Sequence, residues 1–143
     1  MDGARVVAAA RQWLGTPYRH QASLKHQGCD CLGLIRGVWR DLLGPEPETP
    51  PAYTSSWLEL SGREDLLGAA VRHLLPVISD EAKPGDVLFF RIHRSAPAKH
   101  VGILSKADRF IHAHSNASVV ESALCRSWRE RIVARFRYPE SYF

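Results

Sequence analysis

Apolar residues recur at two periods along the chain, helical in its first half and strand-like in its second. Val6, Val7, Ala10, Trp13 and Leu14 fall on one helical face. With Asp2 placed to cap the start and Gly15 and Pro17 to stop the end, they predict a first helix over about 3–14. Periodicity lapses from Thr16 to Gly28, where Tyr18, His20, Gln21, Ser23, Lys25 and His26 collect, so this stretch reads as a loop. Asp30 caps a second helix whose apolar face, Leu34, Ile35, Val38, Trp39, Leu42 and Leu43, runs until Gly44-Pro45. The prolines of Pro45-Glu46-Pro47-Glu48-Thr49-Pro50-Pro51 fix φ and lack the N–H donor, which predicts an extended connector. Leu66, Leu67, Ala70, Val71 and Leu74 predict a third helix between Arg63 and Leu75.

After the turn residues Lys83-Pro84-Gly85-Asp86 the period becomes that of strands. Val87–Ile92, Val101–Leu104, Phe110–His114 and Val119–Ser122 follow at intervals short enough for antiparallel neighbours. Trp128–Val133 predicts a short helix and Ala134–Tyr138 a last strand. Helices first and strands second imply an α+β domain, its helices packed on one side of an antiparallel sheet.

The chain has 143 residues, 45% of them hydrophobic, enough for one core and short for two, so residues 1–143 are expected to form a single domain. The net charge is +4, but Lys and Arg are scattered, which fits an anionic surface without pointing to nucleic acid. Three cysteines, two of them one residue apart, do not make a disulfide framework, and at least one thiol is free. The opening Met1-Asp2-Gly3-Ala4-Arg5 has no apolar core, and no run of about 18 apolar residues occurs. Neither a signal peptide nor a membrane span is expected.

Chemistry concentrates at Gly28-Cys29-Asp30-Cys31-Leu32-Gly33. Cys31 stands in the first turn of the second helix, where unpaired backbone N–H groups and the positive end of the dipole are expected to favour thiolate. Such a thiol is a candidate nucleophile, and it needs an imidazole. His100, opening a strand, is the candidate base; His112 on a neighbouring strand can hold its ring and tautomer. Phe110, His112 and His114 share one strand face, so spacing alone does not choose between the last two. The backbone N–H of Cys31 and the hydroxyl of Tyr18 are candidate oxyanion donors. Asp30 caps the helix and is a candidate for substrate contact, Cys29 is expected to be structural, Cys125 to fill core or surface, and His20, His26, His73 and His93 to face solvent. Trp13, Trp39, Trp57 and Trp128 sit in helical patterns and are expected in the core. A rival use of the same residues is a zinc site from Cys29-x-Cys31 and His112-x-His114, though one-residue spacing is unusual for such sites and leaves His100 without a role.

Gly15-Thr16-Pro17-Tyr18, Asp30-Cys31-x-Gly33, Pro84-Gly85-Asp86-Val87-Leu88, His100-Val101-Gly102-Ile103 and Phe110-Ile111-His112-Ala113 occur in the order seen in the NlpC-type cell-wall cysteine peptidases, a papain-like group. The chain resembles that family over nearly its whole length, and is most similar to small peptidases encoded with the tails of phages and gene transfer agents, where Cys-Asp-Cys-Leu-Gly and a Pro-Glu-Pro connector are familiar. The resemblance implies cleavage of an amide bond in peptidoglycan stem peptides without a cofactor, with Cys31 as nucleophile, His100 as base and His112 rather than His114 as orienting residue. It also implies phage-like tail or baseplate proteins as partners. A chain without a signal peptide is then expected to be made in the bacterial cytoplasm and to reach the cell wall or periplasm on a particle. Two positions depart from the family pattern: Leu32 stands where many members have serine, and Gln21-Ala22 where they often have a glycine pair. The alternative within the same fold is a tail component that has lost activity and serves as a structural or binding part.

Overall fold

The computed structural model describes residues 1–48, 70, 72–78, 81–91, 99–115 and 117–141. Helix α1, Gly3–Arg11, starts where Asp2 accepts the N–H of Ala4 at 3.0 Å and buries Val6, Val7 and Ala10. It ends three residues earlier than its apolar pattern. Gln12, Trp13 and Leu14 each donate to the carbonyl three residues back, so the last turn tightens before Gly15 leaves it at φ +87°. That turn carries Trp13 over α2, Cys31–Leu43, where a Cβ on Gly37 would lie 2.0 Å from the indole ring. Only glycine permits that crossing. The indole N–H of Trp13 then reaches Asp41 at 3.0 Å, so the buried ring keeps its polar atom satisfied.

The segment 16–28 is more ordered than its composition predicts. Strands β1, Ser23–Leu24, and β2, Gly28–Cys29, form a small antiparallel hairpin that leads into α2. The main sheet comprises β3, Leu75–Pro76; β4, Val87–Phe90; β5, His100–Lys106; β6, Arg109–Ala113; β7, Val119–Ala123; and β8, Ile132–Arg137. Among the described residues it has six antiparallel strands in the order β3-β8-β4-β5-β6-β7. Helix α3 covers Arg126–Arg129, so the predicted helix at 128–133 is displaced. Ile132 pairs with Phe90 across a register shift, and this pairing takes Ile132 and Val133 into β8. Most of the predicted third helix lies outside the described residues, with Ala70, Arg72 and His73 helical; Trp57, Ile92, His93 and connector residues 49–51 lie outside them too.

Helices α1 and α2 cover one face of the sheet, packing Val6, Trp13, Leu34 and Val38 on Val87, Phe89, Val101, Ile103 and Ile111. The opposite face is not bare. Leu88, Phe90, Leu104, Phe110 and Leu124 form a second apolar cluster there, with Trp128 of α3 and Ile132 packed on it. The uninterrupted Val-Leu-Phe-Phe of β4 explains this, since a strand apolar at every position must be covered on both faces. Cys31 comes from the helical layer and His112 from the opposite face, and the two layers meet at the start of β5.

Candidate active site

On the helix side the site is built from backbone. Asp30 accepts the N–H of Gly33 at 2.7 Å through one carboxylate oxygen and the N–H of Gln21 at 2.8 Å through the other. The first bond caps α2; the second ties the loop after Tyr18 to the same carboxylate. A Cβ on Gly33 would lie 1.9 Å from the carbonyl oxygen of Ala22, so glycine lets this loop rest on the first helical turn. Gln21 holds φ +65°, a left-handed conformation that glycine adopts without penalty. The thiol of Cys31 donates to the carbonyl of Lys99 at 3.9 Å and faces the N–H groups of Val101, Leu32 and Cys31 itself. Its sulfur therefore lies against the main chain on both sides of His100.

On the strand side the site is built from side chains. Nε2 of His100 is 2.8 Å from Nδ1 of His112, and Nε2 of His112 is 2.8 Å from Oγ of Ser122. Nδ1 of His100 has no hydrogen-bond partner among the described residues. Phe110 stacks on His112 with ring centroids 4.2 Å apart, and Trp128 lies 5.4 Å from both imidazoles. Gly102, between His100 and Leu104 on this face, makes room for the bond between the histidines: a Cβ there would be 2.9 Å from the Ile111 carbonyl oxygen and from the Phe110 ring, and 3.1 Å from Cβ of His112.

Burial sets the protonation states. It lowers His100 to about 4, with the charge of His114 adding to the effect, and lowers His112 to about 3, with His100 and His114 adding. Burial, then the negative charge of Asp30, raises the Cys31 thiol to about 12 against the downward pull of the three N–H groups. The helix N-terminus thus acts in the expected direction but does not win, and the resting site holds a neutral thiol and neutral imidazoles at pH 7. Tyr18 is raised to about 12 by burial and by its proximity to Cys31, Asp30 and Cys29, so its hydroxyl remains a donor throughout the working pH range.

Cys31, His100 and His112 thus converge at the start of β5, with Tyr18 beside the thiol. Asp30 is buried and both its oxygens accept backbone N–H groups, which places it under the site as a cap rather than on an open wall. His114 is exposed and turns its Nδ1 to the carbonyl of Ser115, leaving His112 as the histidine bonded to His100. Cys29 is fully buried in the core beneath α2 and Cys125 is exposed. The zinc alternative fails on geometry: His112 spends both ring nitrogens on His100 and Ser122, and no group of three metal-ligating side chains occurs among the described residues. His73 also differs from expectation, packing edge-on against Trp39 instead of facing solvent. No sequence signal assigns a site role to Ser122 or Trp128. Ser122 becomes visible only through the β6–β7 register, which sets it opposite Phe110 and diagonal to His112. Trp128 is half-buried over the histidines instead of in a helical core.

A cysteine opening a helix that packs on an antiparallel sheet, with a histidine on the facing strand, defines the papain-like class of cysteine hydrolase. Within that class the chain belongs to the NlpC/P60 family, whose sequence model matches residues 15–137. Its curated relatives are named as endopeptidases, several of them of murein, and one as a gamma-DL-glutamyl hydrolase. The chain is 29% identical over 127 residues to the probable endopeptidase NlpC of Escherichia coli K12, covering 86% of this chain and 71% of that protein. It is 26% identical over 129 residues to the murein DD-endopeptidase MepS/murein LD-carboxypeptidase of the same strain, covering 90% of this chain and 58% of that one. Among solved structures, the NlpC/p60 domain of the peptidoglycan hydrolase SagA superposes with a TM-score of 0.63 at 25% identity, covering 95% of this chain and 98% of that chain. A Bacillus cereus NlpC/P60 protein, at 18% identity and a TM-score of 0.67 over 96% of this chain and 40% of its own, has the same fold.

Proposed function

We propose that the chain hydrolyses an amide bond in peptidoglycan stem peptides, with Cys31 as nucleophile, His100 as general base and then acid, and His112 as the residue that orients His100. The observation that carries this reading is the bond from His100 Nε2 to His112 Nδ1. It leaves Nδ1 of His100 as the ring nitrogen available to take a proton, on the residue between Lys99 and Val101, whose main chain Cys31 contacts. Because thiol and imidazole rest neutral, the proton leaves Sγ for Nδ1 as the bond from sulfur to the carbonyl carbon forms. The N–H of Cys31 and the hydroxyl of Tyr18 stabilise the oxyanion. The imidazolium then gives its proton to the departing amine, a thioester remains, and water activated by His100 releases the acid and restores the thiol. Asp30 supports the reaction by holding the helix end and the Tyr18 loop together. Family membership and the murein activities named for relatives support the choice of substrate.

Carriage on a phage-like tail or baseplate, with action in the cell wall or periplasm after manufacture in the cytoplasm, is part of the same proposal. It is supported by the likeness of Cys-Asp-Cys-Leu-Gly and the Pro-Glu-Pro connector to tail-encoded members. Detection of the chain in purified particles tests that part separately. Among the described residues no helix is long and apolar enough to cross a membrane. The enzymatic reading is tested by treating the protein with iodoacetamide and, separately, with a chelator. Loss of hydrolysis in step with labelling of Cys31, and full activity with chelator, is the expected result. Activity that survives complete Cys31 labelling would overturn it.

A further inference from the structure

We propose that Ser122 is a positioning residue for this reaction, the acceptor that fixes the proton positions on both imidazoles. The inference rests on the peptidase reading above and concerns a residue that the sequence did not single out. If Nδ1 of His100 is to take the thiol proton, His100 must carry its own proton on Nε2. That N–H then donates across 2.8 Å to Nδ1 of His112, which must therefore be bare. A neutral His112 with bare Nδ1 carries its proton on Nε2, and the atom facing Nε2 at 2.8 Å is Oγ of Ser122. One competent arrangement follows, with every proton on the chain pointing away from Cys31 and ending on the serine.

The surroundings of His112 make that acceptor necessary. The residue is 1% exposed, stacked on Phe110 and edged by Trp128, which leaves the half-buried Ser122 hydroxyl as the acceptor that the fold itself supplies. Without the hydroxyl, a buried Nε2–H would stand unpaired, and orphaned N–H groups are the rarest of buried polar groups. The proton moves to Nδ1 of His112 instead, donates to Nε2 of His100, and drives the His100 proton onto Nδ1. The one atom able to accept from Cys31 is then occupied. Ser122 thus acts on the reaction through two imidazoles while touching neither sulfur nor substrate.

The test is the tautomer state of protein labelled with 15N at histidine, read from two-bond 1H–15N correlation spectra at pH 7, together with kcat and KM on peptidoglycan fragments. Wild type is expected to carry protons on Nε2 of both His100 and His112. Ser122→Ala is expected to move both to Nδ1 and to lower kcat by about tenfold or more with KM changed less than about twofold. Ser122→Thr, which restores the hydroxyl on a strand-compatible side chain, is expected to recover both readouts. Unchanged tautomers in Ser122→Ala, or a kcat loss that threonine leaves uncorrected, would overturn the inference. The spectra need no turnover, so failure of the peptidase reading, seen as full activity in Cys31→Ala, is distinguishable from failure of this one.

Discussion

The two halves of the site are held by different means. The Cys31 half is fixed by main-chain contacts among residues close in sequence: Asp30 caps its own helix, and the Ala22 carbonyl rests on Gly33. The His100 half is fixed by side chains from separate strands and α3, where Phe110, His112, Ser122 and Trp128 surround one another. The first half places an atom and the second sets a protonation state. Damage to the former should therefore appear mainly as lost stability, and damage to the latter mainly as lost turnover.

Histidine deletions should expose the second half most strongly. His100→Ala is expected to lower kcat by about a thousandfold or more, since it removes the proton acceptor, and His112→Ala by about ten- to a hundredfold, since it removes only orientation. Single-turnover rates on a defined stem peptide separate the two; equal losses would contradict separate roles. The two glycines divide the halves next. Gly33→Ala would put its Cβ 1.9 Å from the Ala22 carbonyl oxygen and is expected to cost about 2–3 kcal/mol in denaturant unfolding, while Gly102→Ala meets the Ile111 carbonyl oxygen and the Phe110 ring at 2.9 Å, a milder overlap expected to cost less stability but to shift His112 and reduce kcat. The reverse ordering would break the comparison.

Acid should weaken the histidine half. His100 and His112 are held near 4 and 3 in the fold, below the ordinary value of 6.5, so between those limits the unfolded chain binds more protons than the folded one. Their neutral burial is without this penalty above about pH 6.5, and stability is lost as pH falls toward 4, by up to about 2 kcal/mol per histidine at pH 5. Thermal unfolding at pH 7 and pH 5 for wild type and His112→Ala checks this; the variant should lose less. The smallest effect belongs to the helix half. Gln21→Gly relieves a left-handed glutamine and should raise stability by about 1 kcal/mol without altering turnover.

How much was legible in the sequence follows the same division. The Asp30 cap, the placement of Cys31 and the bounds of α2 are local and were read from adjacent residues. The strands are legible as short apolar runs bounded by turn residues, and the order of motifs carries the likeness to the family. The hairpin at 23–29 was missed because two-residue strands have no periodicity to show. The end of α1 was missed because Trp13 is buried without being helical, its place set by Gly37 on another element. A helix N-terminus is visible in sequence, whereas the burial and the nearby Asp30 that push the thiol up are not. Ser122 and Trp128 depend on cross-strand register and on α3 covering the second face, neither of which has a local signature.

The account stands most directly on mass spectrometry of purified peptidoglycan digested in parallel with wild type and with Cys31→Ala, whose small truncation of a half-buried side chain should leave the melting transition nearly unchanged. New peptide ends formed by wild type and absent with the variant are the predicted result, and their masses name the bond cut. Products from both proteins alike, or from neither with the fold intact, would contradict a peptidase that works through Cys31.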